Sequence, residues 1–155
     1  MTEARIGPEF SKDMKIIDFL SGRRLDDRPE ERIRQKYLRI LHYEHRYPKE
    51  TMEREVSIYY GGRELLDDQG NPRRADIVVY EDPTAKTNRD QGRIRIIIET
   101  KAPDEDSGHN QLVSYLFVTS ANGAVWYNGS QTKYYRRLSI PENKLIAWPG
   151  REKAN

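Results

Sequence analysis

The 155-residue chain has no cysteine, which excludes disulfide bridges and thiolate-bound zinc. Histidine is scarce as well: His42, His45 and His109 are scattered. His42 and His45 share an i, i+3 spacing but have no third ligand nearby, so both are expected on the surface. No apolar run approaches the length of a membrane span, and the opening MTEARIGPEF lacks an apolar signal core. A cytoplasmic protein with no membrane partner is therefore expected. No G-x-x-x-x-G-K-[ST] occurs, and Gly61-Gly62-Arg63 does not fit it, so no ATP site is expected in this chain. Nothing resembles a helix-turn-helix or a zinc finger, so any reading of a base sequence must be supplied elsewhere. Charge of one sign is lacking too: 27 Lys and Arg against 25 Asp and Glu give a formal +2. That balance permits nucleic-acid binding without demanding it. Arg73-Arg74, Arg93 with Arg95, and Arg136-Arg137 are local basic clusters that could meet phosphates or simply be solvated.

What is present suits one domain with a densely charged surface. Hydrophobic residues make up 35% and charged residues 34%, and the length is too short for two domains. Residues 1–12 read as frayed, and Met14 to Leu20 as a short helix stopped near Gly22. Asp26-Asp27-Arg28-Pro29-Glu30-Glu31 reads as a helix opening, with an acidic cap, proline in the first turn and carboxylates at the positive end of the dipole. Ile33, Tyr37, Ile40 and Leu41 then recur at helical spacing, predicting an amphipathic helix from Pro29 to about Arg46. Strands are predicted at 55–60, 75–80, 93–99, 124–127 and 133–138, and Asn128-Gly129 is a hairpin signal. A helix is predicted from His109 to about Ser120, with Leu112, Tyr115 and Leu116 inward. Residues 81–92 read as a polar loop and 145–148 as a short apolar piece. The expected organisation is an N-terminal extension over 1–27, one α/β domain over 28–150 around a mixed sheet of about five strands, and a polar tail over 151–155.

Two of these strands end in acidic residues that the apolar pattern does not explain. Asp76 opens the Ile-Val-Val run and Glu99 closes the Ile-Ile-Ile run. A carboxylate among such residues is costly unless it is paired or bound to a metal. Lys101 stands two residues past Glu99, and strand alternation turns both to one face. This set suits phosphodiester hydrolysis: two carboxylates can hold Mg²⁺ through oxygen while leaving room for water and phosphate. The ion polarises the phosphoryl group, and Lys101 can orient the water and offset developing charge. Gln111 and Tyr115 at i, i+4 fall on one face of the following helix, where both can hydrogen-bond toward the same centre. Taken alone, D-x22-E-x-K is a weak pattern in so charged a chain, equally readable as a salt bridge at a strand end.

The ordered stretches R-A-D-I-V-V-Y, I-I-I-E-T-K-A-P and Q-L-V-S-Y are more specific together. With R-P-E-E-R-I-R-Q, Y-P-K-E-T-M-E-R-E and W-Y-N-G, they resemble the N-terminal nuclease domain of type I restriction enzyme R subunits over roughly residues 28–130. The resemblance implies a restriction-endonuclease-like core of the PD-(D/E)XK kind, RecB-like branch. It matches Asp76 and Glu99 to the metal-binding acids and Lys101 to the catalytic lysine. Gln111 and Tyr115 match the Q-x-x-x-Y motif that supports the lysine and contacts DNA. Mg²⁺, with Mn²⁺ as substitute, is the implied cofactor, held by Asp76, Glu99 and the Thr100 backbone carbonyl. A glutamate on the first helix is also implied near the metal. At about 100° per residue Glu30 lies closer than Glu31 to the Ile33, Tyr37 and Leu41 stripe, which favours Glu30. Ala75 stands where the family's name has proline, a position that does no chemistry.

The implied function is Mg²⁺-dependent endonucleolytic cleavage of double-stranded DNA within a restriction system, with other restriction-modification subunits or modules as partners. Two other readings fit the same residues: a non-cutting DNA-binding or assembly module of this fold, and an RNA-processing nuclease.

Overall fold

The structure is a computed structural model and describes residues 6–137 and 145–147. Its centre is a six-stranded mixed sheet built from β4 (Met52–Ser57), β7 (Arg74–Tyr80), β8 (Ile94–Thr100), β9 (Gly123–Tyr127), β10 (Thr132–Arg137) and β11 (Leu145–Ala147), in the order β11-β10-β9-β8-β7-β4. The β8–β9 pair is parallel and the other neighbours are antiparallel. A parallel pair needs a crossover, and here it is α3 (His109–Val118). This is the mixed sheet flanked by helices expected of a restriction-endonuclease-like core, with one strand more than the five predicted. The addition is β11, which falls within the predicted apolar piece; β5 (Tyr59–Tyr60) and β6 (Arg63–Glu64) form a separate two-stranded antiparallel ribbon.

Ile-rich β8 is central because it can be buried on both faces. Ile97 belongs to a core shared with Val78, Leu112, Tyr115, Leu116 and Trp126 on the α3 side. Ile98 belongs to a second core with Ile77, Val79, Tyr37, Leu38 and Leu41 beneath α1 (Pro29–Tyr43). Both isoleucines are fully buried, each stabilising the fold by about 1.5–3 kcal/mol relative to exposure. The helix stripe read from spacing is the buried one: Ile33, Tyr37, Ile40 and Leu41 all face inward. The cap differs from expectation. Arg28, not an aspartate, is the N-cap and makes no side-chain cap bond, while Asp27 pairs with Arg32. Pro29 in the first turn, whose missing N–H would have no helical partner, begins the helix.

Four readings of local structure are corrected. Residues 14–20 are not helical: β1 (Glu9–Phe10), β2 (Ile16–Ile17) and β3 (Arg24–Leu25) form a three-stranded antiparallel meander. Turns built on Ser11 and Asp18 outcompete the helix, with the Ser11 N–H donating to the Lys15 carbonyl and the Ser21 hydroxyl to the Asp18 carboxylate. The same meander pairs Glu9 with Ile17, so the segment read as frayed is ordered from at least that point; residues 1–5 lie outside the described residues. The polar stretch 81–92 contains a short helix, α2 (Pro83–Thr87), because Asp82 caps it by accepting from the Ala85 N–H at 2.8 Å. His45 is buried rather than on the surface, and His42 is half-buried with Nδ1 2.8 Å from the Tyr47 carbonyl. The predicted tail over 151–155 also lies outside the described residues.

The hairpin after β9 fixes how the sheet meets α1. Asn128 accepts from the backbone N–H groups of Ser130 and Gln131. Gly129 follows at φ +97, where an added Cβ would stand 2.9 Å from Ile33 Cδ1. Only glycine satisfies both the dihedral and the close approach. Among the described residues no helix is long and apolar enough to cross a membrane.

Candidate functional site

Strand pairing brings Asp76 and Glu99 together. β7 and β8 pair Ile77 with Ile98, so one step along the antiparallel ladder Asp76 faces Glu99. The Thr100 backbone N–H donates to Asp76 Oδ2 at 2.8 Å. Asp76 is 8% exposed and Glu99 4%. Burial raises the Glu99 pKa well above the ordinary glutamate value, and the neighbouring Asp76 charge raises it further. Lys101 partly offsets this, with Nζ 3.8 Å from Glu99 Oε1. Glu99 Oε2 is buried without a hydrogen-bond partner. Two crowded carboxylates, one with an orphaned oxygen, leave an acceptor that a cation could use.

Lys101 opens the loop leading to α3, and that loop is pinned to β9. The Lys101 N–H donates to the Tyr127 carbonyl at 2.9 Å, Trp126 Nε1 to the Ser107 carbonyl at 2.7 Å, and Asn128 Nδ2 to the Glu105 carbonyl at 3.1 Å. The loop ends at Gly108, φ +86, whose absent side chain makes room for the lysine: an added Cβ would lie 2.8 Å from Lys101 Cε. On α3, Gln111 Nε2 donates to the Tyr115 hydroxyl at 2.7 Å. Burial, and then the charge of Glu99, push the Tyr115 pKa upward.

The first helix adds Glu30. Its pKa is raised by burial and next by the Asp76 charge, with Lys101 and Arg34 opposing. Contrary to the helical-stripe expectation, Glu31 is the buried one at 9% exposed, and Glu30 is half-buried, within reach of the Asp76 charge. Glu31, however, is committed elsewhere. Glu31 pairs with Arg54 and accepts from Gln35 Nε2 at 3.1 Å. Arg34, unremarked in the sequence, lies 3.5 Å from Asp76 Oδ1. Burial alone would lower its pKa, but the charges of Asp76, Glu31 and Glu55 outweigh that and raise it. An arginine on a helix stripe next to Ile33 and Tyr37 was the available signal.

The basic clusters divide. Arg93 is committed to Glu81 and Asp82, and Arg137 donates to the Thr119 carbonyl at 3.0 Å. Arg73 has a buried Nε without a hydrogen-bond partner, and its charge reaches Tyr115.

The donor set fits a hard divalent ion. Asp76 and Glu99 offer oxygen ligands, and Glu99 Oε2 lacks any other partner. Among the described residues no group of three or more His, Asp or Glu is arranged to hold a metal, so two carboxylates with backbone oxygen and water are the donors to consider.

No curated protein matches the chain. Residues 29–144 match the family described as Type I restriction enzyme R protein N terminus (HSDR_N). The matched span takes in the first helix, both acid-bearing strands, the Lys101 loop and α3. With most of its length matched, the chain belongs to the family of type I restriction enzyme R protein N-terminal domains.

Proposed function

We propose that this domain is the DNA-cutting module of a restriction system, hydrolysing phosphodiester bonds of double-stranded DNA with a divalent cation at Asp76 and Glu99. The observation that carries this reading is the buried carboxylate pair with Lys101 beside it. Asp76, Glu99 and the Thr100 carbonyl would hold Mg²⁺, or Mn²⁺ in its place. Bound there, the ion supplies Lewis-acid polarisation of a phosphoryl oxygen and a more acidic water.

The remaining work falls to side chains of this chain. Lys101 Nζ, held between Glu99 and Gly108, orients the attacking water and offsets negative charge on the phosphorane-like transition state. Tyr115 and Gln111 buttress the acids from α3. Glu30, within reach of the Asp76 charge, would be an additional acid near the ion. Arg73, whose charge reaches Tyr115 and whose Nε is buried without a hydrogen-bond partner, would meet a phosphate of the bound strand. Recognition of the target sequence and any translocation belong to partner subunits or modules.

The test is conversion of supercoiled plasmid with Mg²⁺ or Mn²⁺ by the wild-type protein, Asp76→Ala and Lys101→Ala, beside an RNA substrate. Cleavage of DNA by the wild type alone supports the reading. Equal behaviour of all three proteins leaves the non-cutting module, and preference for RNA favours RNA processing.

A further inference from the structure

Arg34 is 7% exposed, yet it is not held by one partner. Its guanidinium lies 3.6 Å from Glu31 on its own helix, 3.2 Å from Glu55 on β4 and 3.5 Å from Asp76 on β7. Glu31 is engaged closely by Arg54 and by Gln35, whereas Glu55 meets Arg54 only at 3.8 Å and Arg34 at 3.2 Å, so Glu55 is the residue that competes with Asp76 for this charge. Glu55 is itself unusual. It sits at φ +54 in the middle of β4, a left-handed conformation that non-glycine residues keep only where the surroundings over-determine it. The consequence is visible in the strand: Met52 and Val56, which regular alternation would place on one face, belong to the two different cores. That twist accompanies a Glu55 side chain that reaches Arg34 while remaining 47% exposed. It also lines a cavity of about 260 Å³ with Glu53, Arg74 and Arg89.

Resting on the proposed function, we infer that Arg34 is the positioning residue of the acid centre and the charge that limits its affinity for a divalent cation. The guanidinium holds Oδ1 of Asp76 while the Thr100 N–H holds Oδ2. The carboxylate is thereby fixed toward Glu99, but a fixed positive charge stands beside any ion seated there. Repulsion between such charges at partly buried sites is strong. Glu55 modulates it. A charged Glu55 draws part of the Arg34 field away from Asp76, and a neutral residue in its place leaves that field on the centre. Arg34 thus acts through Asp76 and touches neither water nor phosphate.

The experiment is a Mn²⁺ titration of the full chain without DNA, reading free Mn²⁺ by electron paramagnetic resonance, beside plasmid cleavage and a thermal melt. Arg34→Gln is expected to bind Mn²⁺ roughly tenfold more tightly and to cut more slowly, because charge and orientation are lost together. Arg34→Lys, keeping the charge, is expected to restore wild-type Mn²⁺ affinity. Glu55→Gln, at an exposed side chain, is expected to weaken Mn²⁺ binding roughly threefold. Folded Arg34→Gln protein with unchanged or weaker Mn²⁺ binding overturns the inference. Should that variant not fold, Glu55→Gln decides, and unchanged or tighter binding overturns it. A wild type that binds Mn²⁺ while every variant binds alike overturns this inference alone. A wild type that binds no Mn²⁺ overturns the cation centre itself, and the inference with it.

Discussion

The backbone N–H of Thr100 donates to the side chain of Asp76 at 2.8 Å across the β7–β8 boundary. One bond therefore ties the fold to the candidate site: the ladder that buries Ile77 against Ile98 also fixes the carboxylate opposite Glu99. Any change that slips this register by one residue would send the acids to opposite faces.

Glu99→Gln is expected to stabilise the metal-free protein at neutral pH. Burial and the Asp76 charge raise the folded-state pKa of Glu99 above its unfolded value. Between those two values the native state binds more protons than the unfolded state, so stability falls as pH rises through that window. The amide avoids this cost. Thermal melts should show Glu99→Gln higher in Tm by about 3–8 °C near pH 7, with the advantage shrinking as pH falls into the ordinary carboxylate range. An advantage that grows on acidification would contradict the assigned cause.

Gly108→Ala is expected to damage the site through Lys101. The new methyl would meet Lys101 Cε at 2.8 Å in a backbone held at φ +86, and the left-handed conformation alone costs an L-residue about 1–2 kcal/mol. Tm should fall by a few degrees. Cleavage should fall by roughly tenfold or more as the amine is displaced. Full activity in Gly108→Ala would mean that Lys101 has no fixed role.

Asn128→Ala probes the same loop from a distance. The buried side chain accepts from Ser130 and Gln131 and donates to the Glu105 carbonyl. Its removal should cost about 1–2 kcal/mol from the lost hydrogen bonds, since the partner groups lie on exposed residues and can turn to water. Amide exchange over 102–108 should accelerate along with the hairpin. Exchange confined to the hairpin would show that the Trp126 and Lys101 N–H bonds suffice to hold the loop.

Tyr115→Phe should separate support from packing. The ring stays in the α3-side core, and only the hydroxyl that accepts from Gln111 is lost. A cost near 1 kcal/mol in urea unfolding is expected, together with slower cleavage at unchanged KM for DNA. A change in KM alone would assign Tyr115 to binding.

Much of this architecture is legible in the chain because β7 and β8 are written as nearly unbroken apolar runs, against which Asp76 and Glu99 stand out. Periodicity likewise marked the buried stripe of α1 and the inward residues of α3. Arg34 escaped, although it falls on the buried stripe of α1, because its partners come from β4 and β7, 21 and 42 residues along the chain. Glu55 escaped because nothing around it encodes a left-handed residue in a strand. Gly108 carries no local signature because the side chain that needs the space, Lys101, stands at the other end of the loop. The N-terminal meander was misread because its strands are two residues long, too short for alternation to outweigh an apolar cluster.

The claim on which the functional account turns is that Asp76 and Glu99 hold one divalent cation jointly. Isothermal titration of the DNA-free protein with Mn²⁺ tests it directly. The account expects one ion per chain in the wild type, and affinity reduced at least roughly tenfold in both Asp76→Asn and Glu99→Gln. Uptake that neither substitution changes, or none in the wild type, would contradict it.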